Sequence, residues 1–299
     1  DADLYIGHGG IAGLIAAGRA AQKRQRRLGF DAEDDHLAEV ESGPMGDRER
    51  AVRKDILLRW LRHCTHLTTA APLMARSLQE SLGHEFAVVL NVFPLVPGRG
   101  ANEPEAGTVY WFSQTVGAGR GIEEFLALLP HVSKPIRLFL RGRVDARFET
   151  ELRALLRKLG IPEASVVLQP PIPPGELQES CFGHSLGLSL ELSRNANRDI
   201  CLPNKIFQYL IAGVPVALSS TRAQTQIAAE LGLAALLLDF QDPLASAGLL
   251  DSWLSDLDRQ RAARQHACEL ARDRYCWEVE QYRFLESVER CLQTGVNWS

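Results

Sequence analysis

Two cations stand where a chain could hold a phosphate group. Arg120 lies in Gly117-Ala118-Gly119-Arg120-Gly121, a turn that follows an apolar run and opens a helical one. Small residues there let an anion approach the backbone. Free N–H groups and a helix N-terminus favour its charge, and the guanidinium adds a forked donor. Lys205 lies in Leu202-Pro203-Asn204-Lys205-Ile206-Phe207-Gln208-Tyr209-Leu210-Ile211-Ala212-Gly213, a short helix with Pro203 and Asn204 at its start and Gly213 at its stop. Lys205 and Gln208, at i and i+3, share a face, while Ile206, Phe207 and Leu210 can pack beneath it. Each feature also has a plainer reading: a strand-to-helix turn without a ligand, and a solvated helix face.

Other groups could join them. His8 follows the apolar run Leu4-Tyr5-Ile6 and reads either as a turn or packing residue or as a polar contact at a substrate. Asp31, Glu33, Asp34 and Asp35 read as a solvated loop, with an acceptor-side cluster as the alternative. The runs Lys23–Arg27 and Arg48, Arg50, Arg53, Arg59, Arg62 read as solvated helix faces, with an anionic membrane surface as the alternative partner. The six cysteines form no C-x-x-C pair and no zinc-like spacing. They read as free thiols of a reducing cytoplasm.

These groups need a scaffold, and the pattern supplies one. Strands are expected at Leu4–Ile6, His66–Thr69, Phe86–Leu90, Thr108–Gln114, Ile136–Leu140, Ser165–Leu168, Leu186–Leu190, Pro215–Leu218 and Ala235–Leu238. Between them run helical stretches at Ile11–Arg27, from Asp47 to about Arg62, and at Ala71–Leu82, Gly121–Leu129, Arg147–Leu159, Gly175–Cys181, Asn204–Ala212 and Ala223–Leu231. From Leu244 the chain is mostly helical to Leu292. Asp47 is the expected cap of the second helix and Gly29 the stop of the first. Strands alternating with helices imply doubly wound parallel sheets, whose ligands bind at the carboxyl ends of the strands. Asn91–Gly107, rich in proline and glycine, is the best linker.

Composition sets limits. The chain has 299 residues, 45% hydrophobic and 23% charged, with a net charge of −4. That is the balance of a soluble globular protein of one or two domains. It excludes disorder and a disulfide scaffold, and it argues against a nucleic-acid binder. The longest apolar runs fall far short of the ~20 residues of a membrane-spanning helix.

Asn204-Lys205-Ile206-Phe207-Gln208-Tyr209-Leu210-Ile211-Ala212-Gly213-Val214-Pro215-Val216 resembles the donor-binding helix of GT-B glycosyltransferases of the retaining group called family 4. Other stretches agree in order. Asp3–His8 resembles a strand ending in a histidine near the transferred sugar. Val89–Pro94 resembles the end of the N-terminal domain, and Tyr110–Gly121 the first strand and phosphate loop of the C-terminal one. Tyr275-Cys276-Trp277-Glu278 is similar to the start of the closing helix. The resemblance implies an α/β GT-B fold of two Rossmann-like parallel-sheet domains facing across a cleft. The partial N-terminal domain would be 1–94, the linker 95–107, the nucleotide-sugar domain 108–274 and the closing helix 275–299.

The implied activity is transfer of a sugar from a nucleoside-diphosphate donor to a glycan or lipid-linked acceptor, retaining and metal-independent, with no cofactor beyond the donor as co-substrate. The expected setting is cell-envelope polysaccharide synthesis in the cytoplasm, with peripheral contact at the inner membrane face as the alternative that the basic runs offer. His8, Arg120 and Lys205 would serve catalysis, the two cations on the leaving diphosphate. Gly117, Gly119, Gly121, Arg141 and Asn204 would hold the donor and Ile172 the base. Gln208 stands at the second glutamate of the family's E-x7-E pattern, a ribose ligand. The first glutamate falls at Ile200, so Glu191, Arg198 or Asp199 would contact the sugar instead.

Two other classes stay open. An NAD(P)-dependent oxidoreductase could use the Gly117–Gly121 turn, but it wants an acidic residue ~20 positions on. Arg141 and Arg143 stand there and would suit a 2′-phosphate. A non-catalytic module of the same fold would bind nucleotide or glycan without transfer. The chain opens at Asp1, almost directly on a strand, and about 95 residues precede the linker. A full N-terminal domain is expected to take ~150–200 residues, which predicts an incomplete acceptor half.

Overall fold

Apolar runs of four to nine residues, punctuated by glycine and proline, close into parallel strands along most of the chain. The computed structural model describes residues 2–96, 104–296 and 298. Residues 97–103 of the expected linker, and residues 1, 297 and 299 of the expected terminal segments, lie outside the described residues. The chain divides into two compact units: Asp1–Asn91 with Ser193–Leu202 and Glu278–Ser299, and Val92–Leu192 with Pro203–Trp277.

In chain order the elements are β1 (Leu4–Gly9), α1 (Ile11–Arg24), β2 (Arg27–Ala32), α2 (Pro44–Leu61), β3 (Cys64–Thr69), α3 (Pro72–Leu82), β4 (Ala87–Val88), β5 (Thr108–Val116), α4 (Ile122–Leu128), β6 (Arg137–Val144), α5 (Ala146–Leu159), β7 (Val166–Gln169), α6 (Pro174–Cys181), β8 (Leu186–Ser189), α7 (Ala196–Ile200), α8 (Lys205–Ile211), β9 (Val216–Ser219), α9 (Arg222–Leu231), β10 (Ala235–Leu238), α10 (Pro243–Ser255), α11 (Leu257–Asp273) and α12 (Trp277–Gln293).

The first unit is a four-stranded parallel sheet in the order β1-β2-β3-β4. Three expectations are corrected here. Helix α1 stops at Gln25, which takes a left-handed φ of 53° and donates its N–H to the Ala21 and Gln22 carbonyls. Arg27 therefore opens a strand, and Gly29 lies within it, where a Cβ would sit 2.9 Å from the His66 ring. Helix α2 starts at Pro44 after Gly43 rather than at a capping Asp47, because proline costs nothing where the N–H is unpaired anyway.

The third correction concerns the expected solvated loop of carboxylates: Glu33 is exposed, but Asp31 belongs to β2 and Asp34 and Asp35 are tied into the fold. Asp35 is 1% exposed and accepts from the Leu37 and Ala38 N–H groups and from Ser77 Oγ at 2.6 Å. Asn197 on α7 donates to Asp34 Oδ1 at 2.7 Å and accepts from the Asp35 N–H at 2.8 Å. Helix α7, which the pattern does not predict, thus joins the first unit through one asparagine. Farther along the chain, Glu280 accepts from the Leu90 N–H at 2.8 Å, and Ser287 Oγ meets His66 Nδ1 at 3.0 Å.

The second unit is a six-stranded parallel sheet in the order β10-β9-β8-β5-β6-β7. Val109, Trp111, Leu140, Leu186 and Leu188 from its central strands pack with Phe125, Phe148 and Trp253 into a closed core. The strands read as near-continuous apolar runs because both faces are covered. Tyr209 of α8 is fully buried, and its hydroxyl donates to the Tyr110 carbonyl at 2.9 Å. A Cβ at Gly187 would lie 2.4 Å from that ring, so glycine there lets α8 seat on the sheet.

All six cysteines are free. Among the described residues no helix is long and apolar enough to cross a membrane.

Candidate functional site

The carboxyl ends of β5 and β6 carry an irregularity that shapes the site. The strands pair Phe112 with Arg141 and then Thr115 with Arg143, so Ser113 and Gln114 oppose Gly142 alone. Such bulges re-aim side chains next to sites. Gly142 takes φ 151°, and a Cβ on it would meet the Ser113 carbonyl oxygen at 2.4 Å. Beside the bulge lies a cavity of about 640 Å³, all within the second unit, lined by Ser113, Gln114, Arg141, Arg143, Ile172, Asn204, Lys205 and Gln208. Phe93, Phe112, Pro171, Pro174, Leu177 and Pro203 complete its wall.

Arg141 is built into that wall. Its Nε donates to the Tyr110 hydroxyl at 2.7 Å, Nη1 to the Pro170 carbonyl at 3.0 Å and Nη2 to Gln169 Oε1 at 2.6 Å. It ties β5 and β6 to the proline loop after β7, which carries Ile172. Beneath it the His184 ring stacks on Tyr110, with centroids 4.4 Å apart and planes 4° apart. Burial, with the Arg141 charge adding to it, pushes the His184 pKa down to about 4. The unfolded histidine takes its proton near pH 6.5 and the folded one only near 4, so stability drains away as pH falls through that interval. Melting of the wild type and of His184→Phe, which keeps a ring in the stack, should show a smaller loss in the variant between pH 6.5 and 4.

Lys205 and Gln208 form the opposite wall. Lys205 Nζ lies 3.7 Å from Glu191 Oε1 and 5.5 Å from the Trp111 ring centroid, with both charged side chains nearly buried. The ammonium is thus held in place at the cavity. Gln208 is 5% exposed and lines the cavity, yet its amide makes no hydrogen bond among the described residues. That amide opens to solvent in the cavity, where a ligand with hydroxyl groups would pair with it. Asn204 precedes α8 without capping it, so its side chain also lines the cavity.

The glycine turn departs from the expectation of open N–H groups. Gly119 donates its N–H to Glu123 Oε1 at 2.9 Å. Glu123 and Glu124 both sit in the first turn of α4, where carboxylates answer the positive end of a helix. Gly121 takes φ 80°, and a Cβ there would meet Leu190 Cβ at 2.6 Å, so its role is close packing. Gly117, Gly119, Gly121 and Arg120 do not line the cavity, although they follow β5 directly.

The remaining expected residues lie elsewhere. His8, in the first unit, stands in register with Asp31, which stands in register with Thr68. His8 Nδ1 is 2.7 Å from Asp31 Oδ2, Thr68 Oγ1 donates to Asp31 Oδ1 at 2.7 Å, and His8 Nε2 is 3.3 Å from Glu33. Three adjacent strand ends therefore build a His–Asp–Thr row. The next histidine, His36, reaches the Gly9 carbonyl at 2.9 Å and Glu39 at 3.0 Å. Burial opposes its charge, but these bonds outweigh burial and raise its pKa. Arg198 and Asp199 belong to α7 in the first unit, while Glu191 lies beside Lys205 in the second.

The structure thus brings Arg141, Ile172, Asn204, Lys205 and Gln208 together and adds Ser113, Gln114 and Phe93, which sequence reasoning missed. No local signal marks a bulge. Arg143 stands out in the sequence as the second arginine of Arg141-Gly142-Arg143, which the oxidoreductase alternative places on a 2′-phosphate.

No family profile matches the sequence, and no curated protein matches it significantly. Solved structures do. HepE of Anabaena, in complex with UDP and glucose, superposes with a TM-score of 0.73 at 15% identity, over 96% of this chain and 78% of HepE. TarM of S. aureus, a G117R mutant in complex with fondaparinux, α-GlcNAc-glycerol and UDP, gives 0.69 at 9% over 90% of this chain and 51% of TarM. The pneumococcal O-GlcNAc transferase GtfA, in complex with UDP and GlcNAc, gives 0.67 at 13% over 93% and 55%. The chain spans about half the length of TarM and GtfA. The two parallel-sheet α/β units have the GT-B fold of these proteins.

Proposed function

We propose that this protein is a glycosyltransferase that moves a sugar from a nucleoside-diphosphate donor to a glycan or lipid-linked acceptor. The observation that carries this reading is the cavity at the carboxyl ends of β5 and β6, where Glu191 holds the Lys205 ammonium and the Gln208 amide opens into the same space. Strand ends are where doubly wound sheets take nucleotides. The fold's neighbours add support, since the structures of HepE, TarM and GtfA all hold UDP.

In this reading Lys205 lies against the diphosphate and stabilises the charge that grows on it as the sugar leaves. Arg120, just beyond β5, is the second cation. Gln208 and Asn204 meet the ribose, and Ile172 meets the base. Lys205 and Arg120 supply positive charge from the protein itself, the ground for metal independence in this reading, and Glu191, beside Lys205, is the carboxylate offered to the transferred sugar. The His8–Asp31–Thr68 row serves the acceptor side. Retention of anomeric configuration follows the family resemblance. An acceptor carried on lipid would bring an anionic surface to the basic helices α1 and α2.

Incubation with UDP-, GDP- and ADP-linked labelled glucose and GlcNAc tests the reading. Transfer or slow hydrolysis of one of them, lost in Lys205→Ala, is the expected result. Intact label in every case, with nucleotide bound, would make this a binding module instead.

A further inference from the structure

The donor cavity carries an arginine that the functional reading above does not use. Arg143 is exposed, lines the cavity and makes no hydrogen bond or ion pair among the described residues. The neighbouring Arg141 is committed by three bonds to Tyr110, Gln169 and Pro170. Position along the sheet says what Arg143 would meet. Lys205 stands over Trp111 of β5, Arg143 is the last residue but one of β6, and Ile172 follows β7. With β5, β6 and β7 adjacent, Lys205 and Ile172 are separated by two strand spacings, ~10 Å. A nucleotide whose diphosphate lies at Lys205 therefore lays its base past β6, where Arg143 projects.

Chemistry then decides between bases. A guanidinium only donates, through a planar fork. It pairs with acceptors such as O4 of uracil or O6 and N7 of guanine, and meets the amino group that cytosine or adenine carries at the same edge donor against donor. No carboxylate lines the cavity to receive such an amino group. Amide and hydroxyl groups such as Gln114 and Ser113 can play either part and discriminate little.

We infer that the cavity selects a nucleoside diphosphate whose base carries a carbonyl, O4 of uracil or O6 of guanine, where cytosine and adenine carry an amino group, and that Arg143 is the residue that distinguishes them. This rests on the reading of the cavity as a donor site. Calorimetric titration of the full chain with UDP, CDP, GDP and ADP tests it. UDP should bind about tenfold or more tighter than CDP, through one charge-assisted contact to O4, and GDP than ADP, through a bidentate contact to O6 and N7. Arg143→Gln should bring both ratios within about twofold while UDP still binds. Arg143→Lys, which keeps the charge but not the fork, should lower the ratios in the same way. Equal binding of UDP and CDP by the wild type, or ratios that survive in both variants, would overturn this inference and leave the donor site standing. Failure of all four to bind would overturn the donor reading and this inference with it.

Discussion

Lys205→Ala should weaken binding of a nucleoside diphosphate by about 100-fold, because a charge-assisted contact at a nearly buried site contributes ~1.5–3 kcal/mol. At a ligand concentration 100 times the wild-type dissociation constant, the wild type gains ~2.7 kcal/mol of stability and the variant only ~0.4. Titration calorimetry reads the affinity and thermal melting the stability. The variant should fold, since Lys205 is in the first turn of α8, whose seat on the sheet is made by Ile206, Phe207 and Tyr209. Its removal also takes away the ammonium 3.7 Å from Glu191. Adding Glu191→Gln to Lys205→Ala distinguishes the two effects. If loss of charge at the ligand is the cause, the single and double variants should bind equally poorly. If Glu191 repels the ligand once uncovered, the double variant with Glu191→Gln should recover part of the affinity.

Asp35→Ala should cost about 3 kcal/mol of stability in the first unit, the value of removing a buried acceptor that serves several donors at once. The Leu37 and Ala38 N–H groups and the Ser77 hydroxyl all lose their partner. The same loop carries Glu33, which faces His8, and His36, which reaches the Gly9 carbonyl. Loosening it should therefore lower turnover as well. Asn197→Ala removes the side-chain bonds that α7 makes to the loop, leaving its N–H bond to the Ala38 carbonyl, and should be non-additive with Asp35→Ala. Denaturant melts of the three proteins check both the size and the coupling. A loss below about 1 kcal/mol for Asp35→Ala would mean that the loop relaxes to find other partners.

The alternation of elements was legible because its causes are local. Apolar runs such as Ala235–Leu238 and glycine stops such as Gly83, with φ 71°, mark strands and helix ends wherever they occur. The helix carrying Lys205 and Gln208 was legible for the same reason, bounded by Pro203 and Gly213. What the sequence hid depends on distant groups. Gln25 ends α1 in a left-handed conformation without being glycine, a choice made where β2 pairs with β1. Asn197 reaches Asp34 and Asp35 across 162 intervening sequence steps. The bulge that turns Ser113 and Gln114 to the cavity exists only in the pairing of two strands. The glycine turn misled in a different way. Its small residues promise open N–H groups, yet Glu123, four residues on, takes the one at Gly119. Of the two cationic features, the lysine helix is therefore the one that lines the cavity, and the glycine turn stands beside it.

The central claim is that the cavity beside Lys205 and Gln208 holds a nucleoside diphosphate. The most direct measurement is a thermal-melt series of the wild type and Lys205→Ala across increasing UDP, GDP and ADP. A dose-dependent rise in melting temperature with at least one of them, absent or much reduced in the variant, is the predicted result. A flat series for the wild type with all three would contradict the account.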